Sequence, residues 1–218
     1  MTMSNKIKID IVSDVVCPWC IVGYKRLEQA MRELGVEDKF EIEWHPFELN
    51  PNMPPEGKER RQYSADKYGM SMQDVLASQA NITKHGGEVG FTFDFFEGMH
   101  VVNTKEAHIL LEFAKAFGLQ TALKLALFKA FFTDNKDISK RAVLQEIIKS
   151  IGLDEEKAFT RLNDAKTKVA LQEKESFWHN KGVNSVPTMV FNHKTAMNGA
   201  YPIETYKQVL TELLNKKI

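Results

Sequence analysis

Cysteine is scarce in this chain: two in 218 residues. That is too few for the disulfide framework of a secreted scaffold, and a chain of this length buries enough surface to fold without staples. Excess charge is also lacking. Lys and Arg number 29 and Asp and Glu number 29, so the formal net charge is zero. A neutral chain has no electrostatic footprint for a phosphate backbone or an anionic membrane, and neither is expected as a partner. Unbroken apolar stretches are missing from the start, where Met1 to Ile11 alternates apolar and charged residues, which argues against a signal peptide or a membrane span there. Cytoplasmic residence is the resulting expectation. The six histidines include no His-x₃₋₅-His pair, and internal repeats and low-complexity tracts are absent.

What is present has a clear order. Ile7, Ile9 and Ile11 alternate with Lys6, Lys8 and Asp10, a period of two that predicts a strand with one buried and one wet face. Ile21, Tyr24, Leu27, Met31 and Leu34 recur at helical spacing, and Gly35 stops the run. Phe40, Ile42 and Trp44 alternate with Glu41, Glu43 and His45 as far as Pro46, which completes the strand–helix–strand of a parallel unit. Pro51, Pro54, Pro55 and Gly57 then form a linker, after which helical patterns dominate for roughly a hundred residues. Ala107, Leu110, Leu111, Ala114 and Phe117 share one helical face, Leu123, Leu127 and Phe131 mark another helix, and Ser139 and Asp154 are read as N-caps of two more. Residues 187–191 and 195–200 flank a turn-like Asn192, His193 and Lys194 and predict a hairpin. Pro202 suits the first turn of a closing helix that carries Ile203, Tyr206, Val209, Leu210, Leu213 and Leu214. The expected class is α/β, with βαβ and ββα parts in residues 1–52 and 165–218 and an all-helical domain inserted at 53–164.

The chemistry-bearing motif is Cys17-Pro18-Trp19-Cys20, placed where strand one hands over to the first helix. Unpaired N–H groups and the helix dipole stabilise negative charge at that edge, which favours the thiolate at Cys17 and makes it the candidate nucleophile. Cys20 returns to the same face one turn later, about 5–6 Å away between Cβ atoms in a regular helix, so it is placed to resolve a mixed disulfide. Pro18 loses nothing in the first turn, where its missing N–H would have no partner, and Trp19 is placed to shield the site or meet a substrate. A purely structural disulfide is disfavoured, because closing so short a loop removes little chain entropy. Zinc is disfavoured because tetrahedral coordination needs two further ligands of the right spacing; no metal is expected.

Val186-Pro187-Thr188 adds a second signal, since an X-Pro step opening a strand can be cis. Together with the Cys-Pro-Trp-Cys bend it resembles the thioredoxin superfamily, in which a cis-proline loop faces the nucleophilic cysteine; the resemblance adds Val186 and Pro187 to the site. It is closest to the DsbA-like branch with a helical insertion, and within that to the FrnE-like proteins. Residues 46–51 (Pro-Phe-Glu-Leu-Asn-Pro), Asn103-Thr104 with Ala107-His108, and Gly199-Ala200 before Pro202 carry it over nearly the whole chain. The resemblance implies a thioredoxin-like fold and a protein-disulfide oxidoreductase acting on protein or peptide thiols and disulfides. No bound cofactor is implied, and glutathione is a candidate redox partner. Asn103 and His108 are candidates for a pocket lining near the redox pair, although a solvated N-cap region explains them equally well. Ser185 departs from a glycine common in such proteins, which bears on substrate access. Some relatives carry Ser at the position of Cys17 and act as glutathione-dependent isomerases or kappa-class transferases.

Two other functions stay in view: a glutathione-dependent isomerase or transferase of a small aromatic compound, and a redox-regulated chaperone. Tight glutathione binding without disulfide turnover marks the first; aggregation suppression by a protein lacking both thiols marks the second. His45 and Trp44 are read as an ordinary strand end. The run from Gly86 to Met99, with Phe91, Phe93, Phe95 and Phe96, is read as packing on its own core, and Met70 to Met72 is assigned no role. A monomer and a homodimer are both compatible with the neutral surface.

Overall fold

The computed structural model describes residues 6–215. Residues 1–5, part of the alternating opening stretch, and 216–218, beyond the closing helix, lie outside the described residues.

Strand β1 (Ile7–Ser13) pairs in parallel with β2 (Phe40–Pro46), Ile7 opposite Phe40, and the connection is helix α1 (Pro18–Leu34). On its other side β1 pairs antiparallel with β5 (Thr188–Phe191), which turns back into β6 (Thr195–Asn198), so the sheet order is β2-β1-β5-β6. The hairpin turn places Asn192 and His193 in the left-handed region at φ 48° and 57°, and the Lys194 N–H closes it on the Phe191 carbonyl at 3.0 Å. This is the expected βαβ then ββα arrangement of a thioredoxin-like sheet.

One expectation fails at the centre. The face of β1 expected to be wet is largely covered: Lys8 is half-buried and Asp10 is buried along with the isoleucines. The reason is that both faces are covered. Helix α1 and closing helix α9 (Ile203–Asn215) pack together, with Tyr24 of α1 against Trp44 at 4.9 Å between ring centroids. Helix α8 (Ala165–Asn180) brings Trp178 onto His45 at 4.7 Å and into a second cluster with Val12 and Phe47. Gly23 of α1 lies close against Ala200 and Met189, where an added Cβ would come to 3.4 Å of each.

Between β2 and α8 run a short ribbon, β3 (Lys58–Glu59) with β4 (His100–Val101), and helices α2 (Arg60–Tyr68), α3 (Met72–Glu88), α4 (Lys105–Lys115), α5 (Gln120–Phe132), α6 (Arg141–Ser150) and α7 (Glu155–Asn163). Helix α5 protects the exposed edge of β2: the Gln120 amide accepts from the Trp44 N–H and donates to the Trp44 carbonyl, both at 2.9 Å, which occupies backbone groups another strand would otherwise seek. Asp154 caps α7 as expected, accepting from the Lys157 N–H. Ser139 does not cap α6. Its hydroxyl donates to Asp137 at 2.6 Å, and Lys140 stands at the cap position without a side-chain bond. Pro202 immediately precedes α9, and its carbonyl accepts from Thr205 and Tyr206. Of the four phenylalanines expected to pack on the core, Phe91 and Phe93 are buried, Phe93 lying where Gly86 leaves room on α3; Phe95 is half-buried, and Phe96 is exposed, contrary to that reading. Among the described residues no helix is long and apolar enough to cross a membrane.

Candidate active site

The site begins at the junction of β1 and α1. Cys17 is the N-cap residue of α1, with extended backbone (φ −90°, ψ 112°), and Pro18 occupies the first helical position. The Cys17 N–H donates to the Asp14 carbonyl at 3.2 Å and the Cys20 N–H to the Cys17 carbonyl at 3.2 Å, so the bend is tied on both sides of the motif. Both cysteines are thiols. Cys20 is wholly buried, whereas Cys17 keeps 5% of its surface open.

That opening faces a cavity of about 350 Å³. One wall holds Cys17, Pro18, Trp19 and Val186; the other comes from α2 and α3, through residues such as Tyr63, Tyr68 and Ile82. Trp19 is half-buried and lies tilted against His85, 5.5 Å between ring centroids. The Val186–Pro187 peptide is cis, and the Cys17 thiol points at the Val186 carbonyl at 3.7 Å.

The two sulfurs differ in acidity for identifiable reasons. A hydrogen bond from the Cys20 thiol holds Cys17 below the ordinary thiol range against the opposing effect of burial, with help from the N–H groups of Cys20 and Trp19. Burial and then the neighbouring Cys17 push Cys20 well above that range, while Lys124 pulls the other way. Lys124 of α5 is fully buried behind the pair, its Nζ 3.5 Å from the Ser13 carbonyl and above the Trp44 and Phe128 rings at 5.3 and 5.2 Å. Burial lowers it from 10.5 to about 8, opposed by Cys20, Asp14 and Cys17.

Asn103 and His108 do not line this cavity. His108 is 1% exposed and lies 3.3 Å from the buried Asp14 carboxylate, whose other oxygen accepts from the Leu49 N–H at 2.8 Å. Burial works to raise Asp14, but the His108 contact, the Leu49 N–H and Lys124 together hold it below the usual carboxylate range. The Asn103 side chain accepts from the Lys105 N–H at 3.0 Å, the N-cap alternative. Pro187 contributes backbone, its carbonyl accepting from Gly199 at 2.7 Å.

Sequence reasoning missed Met70, which lines the cavity, and two buried cations, Arg60 on its wall and Lys124 behind it. Lys124 was detectable: it shares a helical face with Leu127, Phe128 and Phe131, at spacings of three, four and seven. Away from the thiols, Asp10, Glu43 and His45 bring ligand-type atoms within 4.8 Å of one another. Lys8 already pairs with Asp10 and Glu43, and Lys115 pairs with Glu43, so the group is charge-balanced by its own chain.

The chain is similar to the uncharacterized protein YwbO of Bacillus subtilis (strain 168), 25% identical over 217 residues that cover 97% of this chain and 99% of that one. Among solved structures it is similar to the probable DsbA oxidoreductase SCO1869 of Streptomyces coelicolor, with a TM-score of 0.89 and 28% identity over 96% of this chain and 90% of that one. It shares its fold with the cytosolic disulfide reductase DsbM of Pseudomonas aeruginosa with GSH, at a TM-score of 0.67 and 17% identity over 95% and 99% of the two chains. The DSBA-like thioredoxin domain family matches residues 8–211, nearly the whole length, and the protein belongs to that family.

Proposed function

We propose that the protein is a thiol-disulfide oxidoreductase that cycles Cys17 and Cys20 between dithiol and disulfide on protein or peptide substrates. The observation that carries this reading is the unequal sulfur pair at the head of α1: an acidified Cys17 open to a cavity, and a buried Cys20 that keeps its proton. The Cys17 thiolate attacks one sulfur of a substrate disulfide, forming a mixed disulfide and releasing the other substrate sulfur as a thiolate. Cys20 then gives up its proton and attacks the Cys17 sulfur, which closes the internal disulfide and frees the second substrate thiol. An extended substrate segment is accommodated beside Val186. The reading includes an FrnE-like placement, cytoplasmic residence, glutathione as a redox partner, and the division into residues 1–52 with 165–218 and an inserted 53–164. Likeness to a cytosolic reductase bearing GSH supports the compartment and the partner.

Turnover of a disulfide-bonded peptide is the test. Cys17→Ser is expected to abolish it, and Cys20→Ser to accumulate a mixed disulfide visible by mass spectrometry. A Cys17→Ser protein as active as the parent overturns the reading.

A further inference from the structure

The cavity beside Cys17 holds a set of hydrogen-bond donors that nothing in its walls engages. Arg60, the first residue of α2, lines it and is 8% exposed. Its guanidinium carbon rests over the Phe95 and Phe132 rings at 5.0 and 5.4 Å, and its backbone N–H donates to the Met99 carbonyl at 2.7 Å, so the side chain is held in place. Among the described residues the guanidinium has neither a hydrogen-bond nor an ion-pair partner, while its sequence neighbours are occupied elsewhere: Glu59 accepts from the Gln62 N–H, and Arg61 lies 3.6 Å from Glu97. No Asp or Glu stands in the cavity lining, whose apolar share comes from residues such as Val16, Met70, Val75 and Ile82. Burial brings Arg60 down to about 10, opposed first by Cys17, which leaves it cationic at neutral pH.

An acidified thiol and a fixed fork of free N–H donors therefore share one small space. Disulfide exchange has little use for the donors, because it expels a thiolate, the anion of an acid of pKa about 8.5. Hydroxide, the anion of an acid of pKa about 15.7, is a far stronger base, as are alkoxides, and such groups depart readily only where a cation meets the charge as it forms. Breaking the O–O bond of a hydroperoxide releases a group of that kind, and attack on it by a thiolate is the first step of cysteine oxidation. We propose that the cavity is also a hydroperoxide-reducing site, in which Cys17 attacks the terminal oxygen of a small apolar hydroperoxide and Arg60 donates to the departing oxygen. The dimensions suit a short apolar group: at about 350 Å³ the cavity stands near the lower bound of small-molecule pockets, roughly 300–1,000 Å³.

The Cys17 thiolate attacks ROOH, forming Cys17–SOH, breaking the O–O bond and releasing RO⁻, which takes a proton from solvent and leaves as ROH. Cys20 then attacks the Cys17 sulfur: the S–S bond forms, the S–O bond breaks, and the departing hydroxide takes the Cys20 proton to become water. The two sulfurs lose two electrons and the peroxide gains them. The first turnover needs no other reactant. Two molecules of a thiol then restore the dithiol by exchange and become a disulfide, a reset that rests on the thiol–disulfide reading above.

The test uses the full-length reduced protein with tert-butyl hydroperoxide, and with hydroxyethyl disulfide as the reagent whose leaving group is a thiolate. Single-turnover loss of the Cys17 thiol is followed by acid quench and mass spectrometry across a pH series, each rate normalised to the same reagent's reaction with the dithiothreitol thiolate. On the plateau where Cys17 is ionised, the parent is expected to reduce the hydroperoxide about a hundredfold faster than the free thiolate does, the scale of one preorganised donor at a developing oxyanion. Arg60→Met loses most of that gain and Arg60→Lys keeps part of it, while both hold the parent's plateau rate on the disulfide. A Cys20→Ser protein given the hydroperoxide is expected to retain Cys17 as a sulfenic acid that dimedone traps. A parent no faster than the free thiolate overturns the proposal, a measurement that needs no variant to fold. So does an Arg60→Met protein whose plateau falls equally on both reagents, or whose pH midpoint moves while its plateaus stay, since either result assigns Arg60 to support of the Cys17 thiolate alone. A parent that reduces the hydroperoxide at the expected rate and leaves the disulfide untouched upholds this proposal and sinks the thiol–disulfide reading.

Discussion

Replacing Lys124 with methionine is expected to make the protein more stable and slower. The ammonium is wholly buried, and burial outweighs the attraction of Asp14 and the two sulfurs, leaving its pKa at about 8 against 10.5 for a free lysine. At 1.36 kcal/mol per unit, that difference means the charged form costs the folded state about 3 kcal/mol at neutral pH relative to the unfolded chain. The sign follows from proton counts: between about 8 and 10.5 the unfolded chain binds more protons than the folded one, so parent stability rises through that window. Lys124→Met keeps a side chain of similar length without the charge. It is expected to gain up to about 3 kcal/mol at pH 7, or roughly 6–12 °C in Tm for a chain of this size, and to lose that advantage towards pH 10. Urea unfolding of reduced parent and variant at several pH values measures the gap. A variant less stable than the parent at pH 7, or a gap that ignores pH, refutes the reasoning. Because Lys124 also lowers Cys20, the variant should resolve its mixed disulfide more slowly, a trade of stability for activity.

Two other outcomes follow from packing and charge. A Cβ on Gly86 would sit 2.5 Å from the Phe93 ring and 2.7 Å from the Phe91 carbonyl, so Gly86→Ala should cost about 1–3 kcal/mol in urea unfolding; an unchanged midpoint would mean the 86–93 contact gives way freely. Burial, reinforced by Glu175, raises the Glu48 carboxyl from 4.5 to about 7. The folded state therefore holds more protons than the unfolded chain in that window, and this site's contribution to stability falls as pH rises through it. Glu48→Gln should abolish that fall and stand above the parent at pH 8, and a parent-like pH profile in the variant would contradict it.

The parts of the fold written in short-range periodicity were legible. Ile7, Ile9 and Ile11, the stripe from Ile21 to Leu34, and the closing hairpin and helix each announce themselves within one short stretch of chain. Asp10 misled because alternation reports the chemistry of a face, and a buried ionic cluster with His45 and Lys8 satisfies a charged residue inside. Helix α8 hides because only Leu171 and Trp178 are buried along its length, which leaves no continuous apolar stripe to read. The β3–β4 ribbon has two residues per strand joined across forty positions of chain, beyond any local pattern. At the site, Cys17 and Cys20 were visible as a motif. Arg60 was not, because it stands in the charged run Lys58-Glu59-Arg60-Arg61, which reads as solvent-facing; only the distant Phe95 and Phe132 turn it inward.

The cavity has one face from the head of α1 and the approach to β5, and the opposite face from α2 and α3. Reactivity and discrimination are thereby encoded in stretches of gene that can drift independently. Replacing residues 60–88 with those of a relative would change which visitors fit while the sulfurs keep their own surroundings on α1. A lineage with this layout can acquire new clients without reinventing its reaction.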